Sequence, residues 1–540
     1  MWAYETTFYQ IYPLGFCGVP RQNAPVGEAA APVGEADAAA HGAGSAAAEE
    51  GAPAATGADA QGAPLGPDAP NPGTPNPDAP IRKVASWAPY LGRMGFGAVL
   101  LNPVFESDSH GYDTRDLARI DQRLGSGADF ADTVRELHAH GVRVVLDAVF
   151  NHVGRGFWAF RDVQARRWES PYKDWFCISF DGDSAYGDGF WYEGWEGHYE
   201  LVKLNLANPA VVDYLLGCVR GWVRDFGIDG LRLDVAYSLD RGFMHRLREL
   251  ANEIGPEVGE DAAADASRFA PGSAPARLGG DFVLIGETLH GDYNQLVNPD
   301  LLHSCTNYEC YKGLYSSFNS QNMFEIAHSL HRQFGGDPWC IYRGKHLLSF
   351  ADNHDVTRLA SILTDPACVR PAYGVLFGMP GIPCVYYGSE WGATGTKGAH
   401  DDFDLRPAFA EPVENDLSAF VRSLAAARDG HAEGLSDEDA ARVGRALAYG
   451  AYRNVQILNK QLLFERAADA GVADDRPDGP AACVLVAVNA VGEPFTLGAG
   501  ELSGEFVDVL GGEGREAGAV VGLSGSLELA PYEVRYLLRR

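Results

Sequence analysis

The chain has 540 residues, 46% of them hydrophobic and 11% aromatic, which supplies a large core and excludes global disorder. Lys and Arg total 43 against 73 Asp and Glu, a formal net charge of −30, so phosphate backbones and anionic lipid surfaces are poor partners and neutral ligands remain. The nine cysteines are scattered and none forms a Cys-x-x-Cys pair, so neither a zinc ribbon nor a disulfide scaffold is indicated. No basic segment followed by an apolar stretch opens the sequence, and no run approaches the ~20 apolar residues of a membrane span. The expectation is a soluble cytoplasmic protein, with no nucleic-acid or membrane partner and an unknown oligomeric state.

Phe8-Tyr9-Gln10-Ile11-Tyr12 is the first predicted strand. From Gln22 to Ile81 there is no Lys, Arg or aromatic residue, and Ala-Pro-Val-Gly-Glu-Ala occurs twice, at 24–29 and 31–36. Such a stretch buries too little apolar area to offset its ordering entropy, so 22–81 reads as a disordered insertion. Smaller Ala/Asp-rich insertions are expected near 256–280 and 467–482. Val84, Trp87, Leu91 and Met94 then recur at helical spacing up to Gly95, and Ala98 to Leu101 reads as a buried strand. Asp129 is expected to cap a helix carrying Phe130, Val134 and Leu137, ahead of a strand at Val142 to Leu146. A helix through Leu215, Val219, Trp222 and Phe226 precedes a strand at Gly230 to Leu233. Strands follow at Phe282 to Ile285, near Cys305–Cys310, at Leu347 to Phe350 and at Ile382 to Tyr386. This many βα repeats predict an α/β fold, a closed (β/α)8 barrel of the TIM type.

Two parts interrupt the alternation. Residues 152–205 are rich in aromatics, among them Phe157, Trp175, Phe190 and Trp195, and are too long for a βα loop, so a small subdomain is expected after strand 3. From about Ala446 the pattern turns to short β-like runs, such as Val484 to Val488 and Val534 to Leu538, which predicts a C-terminal antiparallel β-sandwich. The expected division is therefore a barrel at 1–445, with the insertion at 22–81 and the subdomain at 152–205, and an all-β domain at 446–540.

In such barrels the strand C-termini face the active site. The third strand ends Asp147-Ala-Val-Phe-Asn151-His152, the fourth Gly-Leu-Arg232-Leu-Asp234, the fifth Gly286-Glu287 and the seventh Phe350-Ala-Asp352-Asn353-His354-Asp355. One Asp after a strand reads as a turn or helix cap, but four such segments in succession, with His and Arg beside the carboxylates, are not explained by capping. Two carboxyls flanking a neutral polyhydroxylated ligand are the apparatus of glycoside hydrolysis. Arg232 lies two residues before Asp234, hence on the same face of the strand, and can hold that carboxylate ionised as a nucleophile. Glu287 follows an apolar strand and needs a raised pKa to serve as the acid.

These four segments, in this order, resemble the signature segments of glycoside hydrolase family 13, the α-amylase family. His110-Gly-Tyr112-Asp113 and Gly381-x-Pro383-x-x-Tyr386-Tyr387-Gly388-x-Glu390 extend the resemblance over nearly the whole chain apart from the insertions. The resemblance implies Asp234 as nucleophile, Glu287 as general acid/base and Asp355 as the third carboxylate. It also implies Tyr112 as a platform for the sugar, and His152, Arg232 and His354 as contacts to its hydroxyls or the nucleophile. Asp147 and Asn151 become supports of the site.

The implied activity is retaining cleavage of α-1,4-glucosidic bonds in maltodextrins or other α-glucans. The alternatives are a glucanotransferase using the same residues and a non-catalytic glucan-binding relative. No cofactor is required, and calcium stays open because many amylases use the counterpart of Asn151 as a ligand. Asp181-Gly-Asp183-Ser-Ala-Tyr-Gly-Asp188 lacks the glutamate and glycine placement of a calcium loop and reads as a turn. Where typical α-amylases follow the nucleophile with a Lys-His pair, Val235-Ala236-Tyr237 stands here. Leu201-Val202-Lys203-Leu204-Asn205 is similar to the corresponding motif of neopullulanases and cyclomaltodextrinases, whose N-terminal β-domain has no counterpart ahead of Phe8.

Overall fold

A computed structural model describes residues 1–25, 73–255, 269, 275–399, 401–471 and 477–540. Most of the insertion expected at 22–81, and parts of those near 256–280 and 467–482, lie outside the described residues. The two ends of the first are packed. Asn23 donates its side-chain amide to Glu106 at 2.8 Å, the backbone N–H of Asn76 donates to Asp129 at 2.7 Å, and Ala79 and Ile81 are buried.

Eight parallel strands form the centre of the molecule: β1 (Thr7–Ile11), β2 (Phe96–Leu101), β3 (Arg143–Ala148), β4 (Gly230–Leu233), β5 (Val283–Gly286), β6 (Ser304–Cys305), β7 (Leu348–Phe350) and β8 (Ile382–Tyr386). Their order is β6-β5-β4-β3-β2-β1-β8-β7, and a single bridge between Thr306 and Leu348 joins the two ends. The ring is the expected barrel. The strand expected near Cys305–Cys310 is only two residues long, because Asn307 caps a helix at Tyr308–Asn319 that takes Cys310 into its first turn. The helix expected through Val84 and Met94 is two helices, Arg82–Ser86 and Ala88–Arg93, with Pro89 in the first turn of the second. A proline there has no N–H for a continuous helix to use. Ser126, not Asp129, caps the helix Gly127–Ala139, and Asp129 returns the bond to complete a capping box.

Alternation along the strands sorts the barrel into layers. Phe8, Leu100, Val145, Ile285 and Phe350 point inward and fill the interior. Two residues further along, the inward positions of β1, β2, β3 and β5 become Gln10, Asn102, Asp147 and Glu287, all buried. The barrel is thus apolar at its base and polar at its C-terminal mouth.

The stretch 152–205 folds over this mouth. A three-stranded sheet pairs His198–Lys203 with His152–Gly154 on one side and Gly194–Trp195 on the other. Phe157, Phe160, Phe176, Phe190 and Tyr192 form its buried aromatic core. Asp181 to Asp188 is a turn, closed where Asp188 pairs with Arg155 at 2.8 Å and Asp183 accepts from the Gly189 N–H at 2.7 Å.

Helical structure continues past 445 through Asp437–Tyr449, and six antiparallel strands then form one sheet. They are β9 (Ala451–Ile457), β10 (Gln461–Ala468), β11 (Ala482–Asn489), β12 (Phe495–Asp508), β13 (Val520–Leu529) and β14 (Val534–Arg539), in the order β9-β10-β11-β14-β12-β13. A register shift in β12 between Gly498 and Ser503 lets the sheet curl around Leu463, Leu485, Leu497, Phe506 and Leu527, giving the expected sandwich-like domain.

One fully buried arginine, Arg466, ties it to the barrel, and a second, Arg428, holds the barrel's own base together. Arg466 of β10 donates to the carbonyls of Gly378 at 2.9 Å and Gly450 at 2.9 Å. Arg428 donates to those of Tyr4 and Gly381 at 2.7 Å each. Burial pulls Arg466 down to about 9 and Arg428 to about 10.

Just beyond β8, Glu390 is buried between Tyr9 and Tyr90, whose hydroxyls donate to it at 2.7 and 3.0 Å. Burial outweighs these bonds and raises its carboxyl to about 7. Between the ordinary glutamate range and pH 7, the folded chain therefore holds a proton that the unfolded chain has lost, so stability falls as pH rises through this window. Glu390→Gln is expected to remove that part of the fall, a relative gain of about 3 kcal/mol at pH 8. The variant's Tm minus that of the wild type, followed from pH 5 to pH 8, should grow; a constant difference would contradict the assignment.

Candidate active site

The pairing of β3 with β4 sets Arg232 directly beside Asp147, both facing inward. One Arg232 terminal nitrogen reaches Asp147 at 2.6 and 2.7 Å and Asp234 at 3.0 Å, and the other reaches Glu287 at 2.8 Å. A single guanidinium thus joins three buried carboxylates. Sequence reasoning placed Arg232 against Asp234 or a sugar hydroxyl; the structure has it bridge Asp147, Asp234 and Glu287.

The chain after Asp234 turns sharply. Val235 adopts φ 40° and ψ 48°, a left-handed conformation costly for a β-branched residue. The turn aims the Val235 N–H at Glu287 Oε2, 3.1 Å away, and the Ala236 N–H at the Glu287 carbonyl at 3.0 Å. The two carboxyls are therefore held through the backbone as well as through Arg232.

On the opposite wall, Asp355 accepts from Arg406 at 3.0 Å and lies 3.1 Å from His354 Nε2. Gln10 donates to His354 Nδ1 at 3.0 Å, so the ring proton sits on Nε2, facing the Tyr112 hydroxyl at 2.5 Å. Tyr112 in turn donates to Asp147 at 2.9 Å, and Asn102 donates to the same carboxylate at 3.0 Å. Asp147 is therefore spent on support, as expected. His152 is buried, with Nε2 3.9 Å from Asp234 and without a hydrogen-bond partner, a donor aimed at the cleft.

The electrostatics follow from burial and crowding. Burial raises Asp234 and, against Arg232, the other carboxylates raise it further. Burial also raises Glu287 while Arg232 opposes it. Three carboxylates share one guanidinium, so the Asp234–Glu287 pair retains a proton above the usual carboxylate range. Burial alone would raise Asp355 too, but the permanent charges of Arg406, Arg232 and Lys397 hold it below that range. Burial lowers His152 and His354 to about 3, so both rings are neutral.

All seven residues singled out from the sequence meet in one cleft of about 980 Å³ or at its floor. Sequence reasoning missed Gln10, Asn102, Lys397 and Arg406. The first two lie two positions beyond inward-facing Phe8 and Leu100, so strand alternation carried a signal. Lys397 and Arg406 come from a loop after β8 and carried none.

Asn151 brings one orphaned buried oxygen, as a calcium ligand would, but calcium takes six to eight oxygens. Among the described residues the one group of three His, Cys, Asp or Glu side chains able to hold a metal is His331, Asp337 and Cys340. Its nitrogen and sulfur donors suit a softer cation.

A polar barrel mouth with paired carboxylates defines an acid–base site of the (β/α)8 class. The family model described as alpha amylase, catalytic domain, matches residues 78–440, and the chain belongs to the α-amylase family. An intracellular maltogenic amylase of Bacillus subtilis is 31% identical over 311 residues, 57% of this chain and 47% of the relative. Neopullulanase 2 of Thermoactinomyces vulgaris is 32% identical over 345 residues, 63% of this chain and 54% of the relative. The chain thus spans about half the length of these curated relatives. Among solved structures, Ttha1563 of Thermus thermophilus covers 100% of both chains at 26% identity with a TM-score of 0.67. Among the described residues, no helix is long and apolar enough to cross a membrane.

Proposed function

We propose that the chain is a retaining glycoside hydrolase that cleaves α-1,4-glucosidic bonds of maltodextrins through a covalent glucosyl–Asp234 intermediate. The observation that carries this reading is the single Arg232 guanidinium in contact with both Asp234 and Glu287. It keeps the two carboxyls close, as a retaining site requires at about 5–5.5 Å. Glu287 gives its proton to the leaving oxygen while Asp234 attacks the anomeric carbon. Glu287 then takes a proton from water, which displaces Asp234 and restores the α configuration. Asp355, held ionised, accepts hydrogen bonds from ring hydroxyls, His152 Nε2–H donates to another, and Tyr112 offers its ring face to the pyranose. The relatives named as maltogenic amylase and neopullulanase support an α-glucan as substrate, and the one named intracellular supports a cytoplasmic location.

Proton NMR of the first products from maltotriose should show the α-anomer. An initial β-anomer would overturn retention, and no turnover of maltotriose, maltoheptaose, pullulan or a cyclodextrin would overturn the reading as a whole.

A further inference from the structure

We propose that the Tyr237–Glu196 hydrogen bond is a clasp across the leaving-group end of the cleft, which confines that end to short sugar chains. The inference rests on the hydrolase reading above and concerns which substrates that site takes. The Tyr237 hydroxyl donates to Glu196 Oε1 at 3.1 Å, linking residues 41 positions apart. One belongs to the barrel and the other to the subdomain above it.

Both partners are fixed from behind. Tyr237 lies in the short 3-10 turn Ala236–Ser238, whose entry is set by left-handed Val235 and by the two backbone bonds to Glu287. The tyrosine therefore keeps its place relative to the acid. Glu196 sits at the tip of the hairpin joining Gly194–Trp195 to His198–Lys203, with φ 47°, followed by Gly197 at φ 88°. Two successive left-handed residues make the tight turn that matches strand twist. In the first position only glycine escapes a steric cost, so a glutamate there is held at some expense.

The side of the cleft follows from the chemistry. Glu287 protonates the leaving oxygen, so the groups gathered around Glu287 face the leaving group. Tyr237 feels the charge of Glu287 more strongly than that of Asp234, and its ring lies 5.9 Å from that of His290, three residues past the acid. The adjoining Trp195 faces the Asp234 side, its ring 5.6 Å from that of His152. A glucan leaving toward Tyr237 must end before the clasp or break it. Burial, and then Glu196, raise the Tyr237 hydroxyl, so it stays a neutral donor across the working pH range.

The test compares Tyr237→Phe, Glu196→Ala and the double variant with the wild type. The readout is kcat/KM on long amylose divided by kcat/KM on maltotriose, with α-glucosyl fluoride as a substrate lacking a sugar leaving group. The ratio within one variant is insensitive to the fraction of folded enzyme. Each single substitution should raise the amylose-to-maltotriose ratio about fivefold, and the double variant should add little, because both remove one bond. The ratio of maltotriose to α-glucosyl fluoride should move less. An unchanged amylose ratio in both single variants, or additive gains in the double, would overturn the clasp alone. A wild type inactive on every α-glucan would overturn the hydrolase reading and the clasp with it.

Discussion

Asp234→Asn is expected to lower kcat on maltotriose by about 10⁴-fold or more while leaving the affinity for maltooligosaccharides within a few-fold. Asparagine keeps the shape of the side chain and an oxygen for Arg232, which lies 3.0 Å from the native carboxylate. The rest of the cleft, including Asp355, Tyr112 and His152, is untouched, so the ground state still binds. What disappears, on the proposed mechanism, is the electron pair that would form the glucosyl ester. Titration calorimetry with maltoheptaose checks binding, and single-turnover kinetics check the chemistry. A loss of less than about tenfold would place the nucleophile elsewhere.

Arg232→Met is expected to cost both activity, by about 10³-fold, and stability, by about 3–5 kcal/mol. The guanidinium is the shared partner of Asp147, Asp234 and Glu287, all buried. Removing a cation raises carboxyl pKa values, so these groups would hold protons in the folded state well above the range in which the unfolded chain releases them. Stability then falls as pH rises, and the deficit relative to wild type should be larger at pH 8 than at pH 5. Residual activity needs an ionised Asp234, so its acid limb should move to higher pH. Arg232→Lys restores a charge without the fork that reaches three partners, and should recover stability better than rate. Thermal melts at the two pH values and a pH–rate profile separate these effects; a deficit independent of pH would mean that Arg232 acts through packing alone.

The groups of the candidate site were legible because they sit in contiguous segments at the ends of strands. Asp147 follows an apolar run, and two-residue alternation puts Arg232 and Asp234 on one face. The barrel was legible for the same reason, since its apolar runs recur with helices between them. Arg406 and Lys397 were not, because a lone basic residue in a loop has the same local pattern whether it meets solvent or Asp355. The shortness of β6 was hidden too: Cys-Thr-Asn-Tyr-Glu-Cys at 305–310 has no clear strand or helix pattern, and the cap at Asn307 turns it into a helix. The sharing of one guanidinium among three carboxylates depends on the register between β3, β4 and β5, which no single segment encodes.

Arg466 and Arg428 have a bearing on how such a molecule can be taken apart. Each spends its charge on backbone carbonyls, Arg466 on Gly378 across the seam between the C-terminal sheet and the barrel, and Arg428 on Tyr4 and Gly381 within the barrel. A cut placed at 445/446 would pass through the helix Asp437–Tyr449 and leave the Gly378 carbonyl without its donor. The sheet is in this sense the lower wall of the barrel, not a module appended to it. Grafting this barrel onto another terminal domain would require carrying β10 along, or rebuilding the seam with residues that need no charge there.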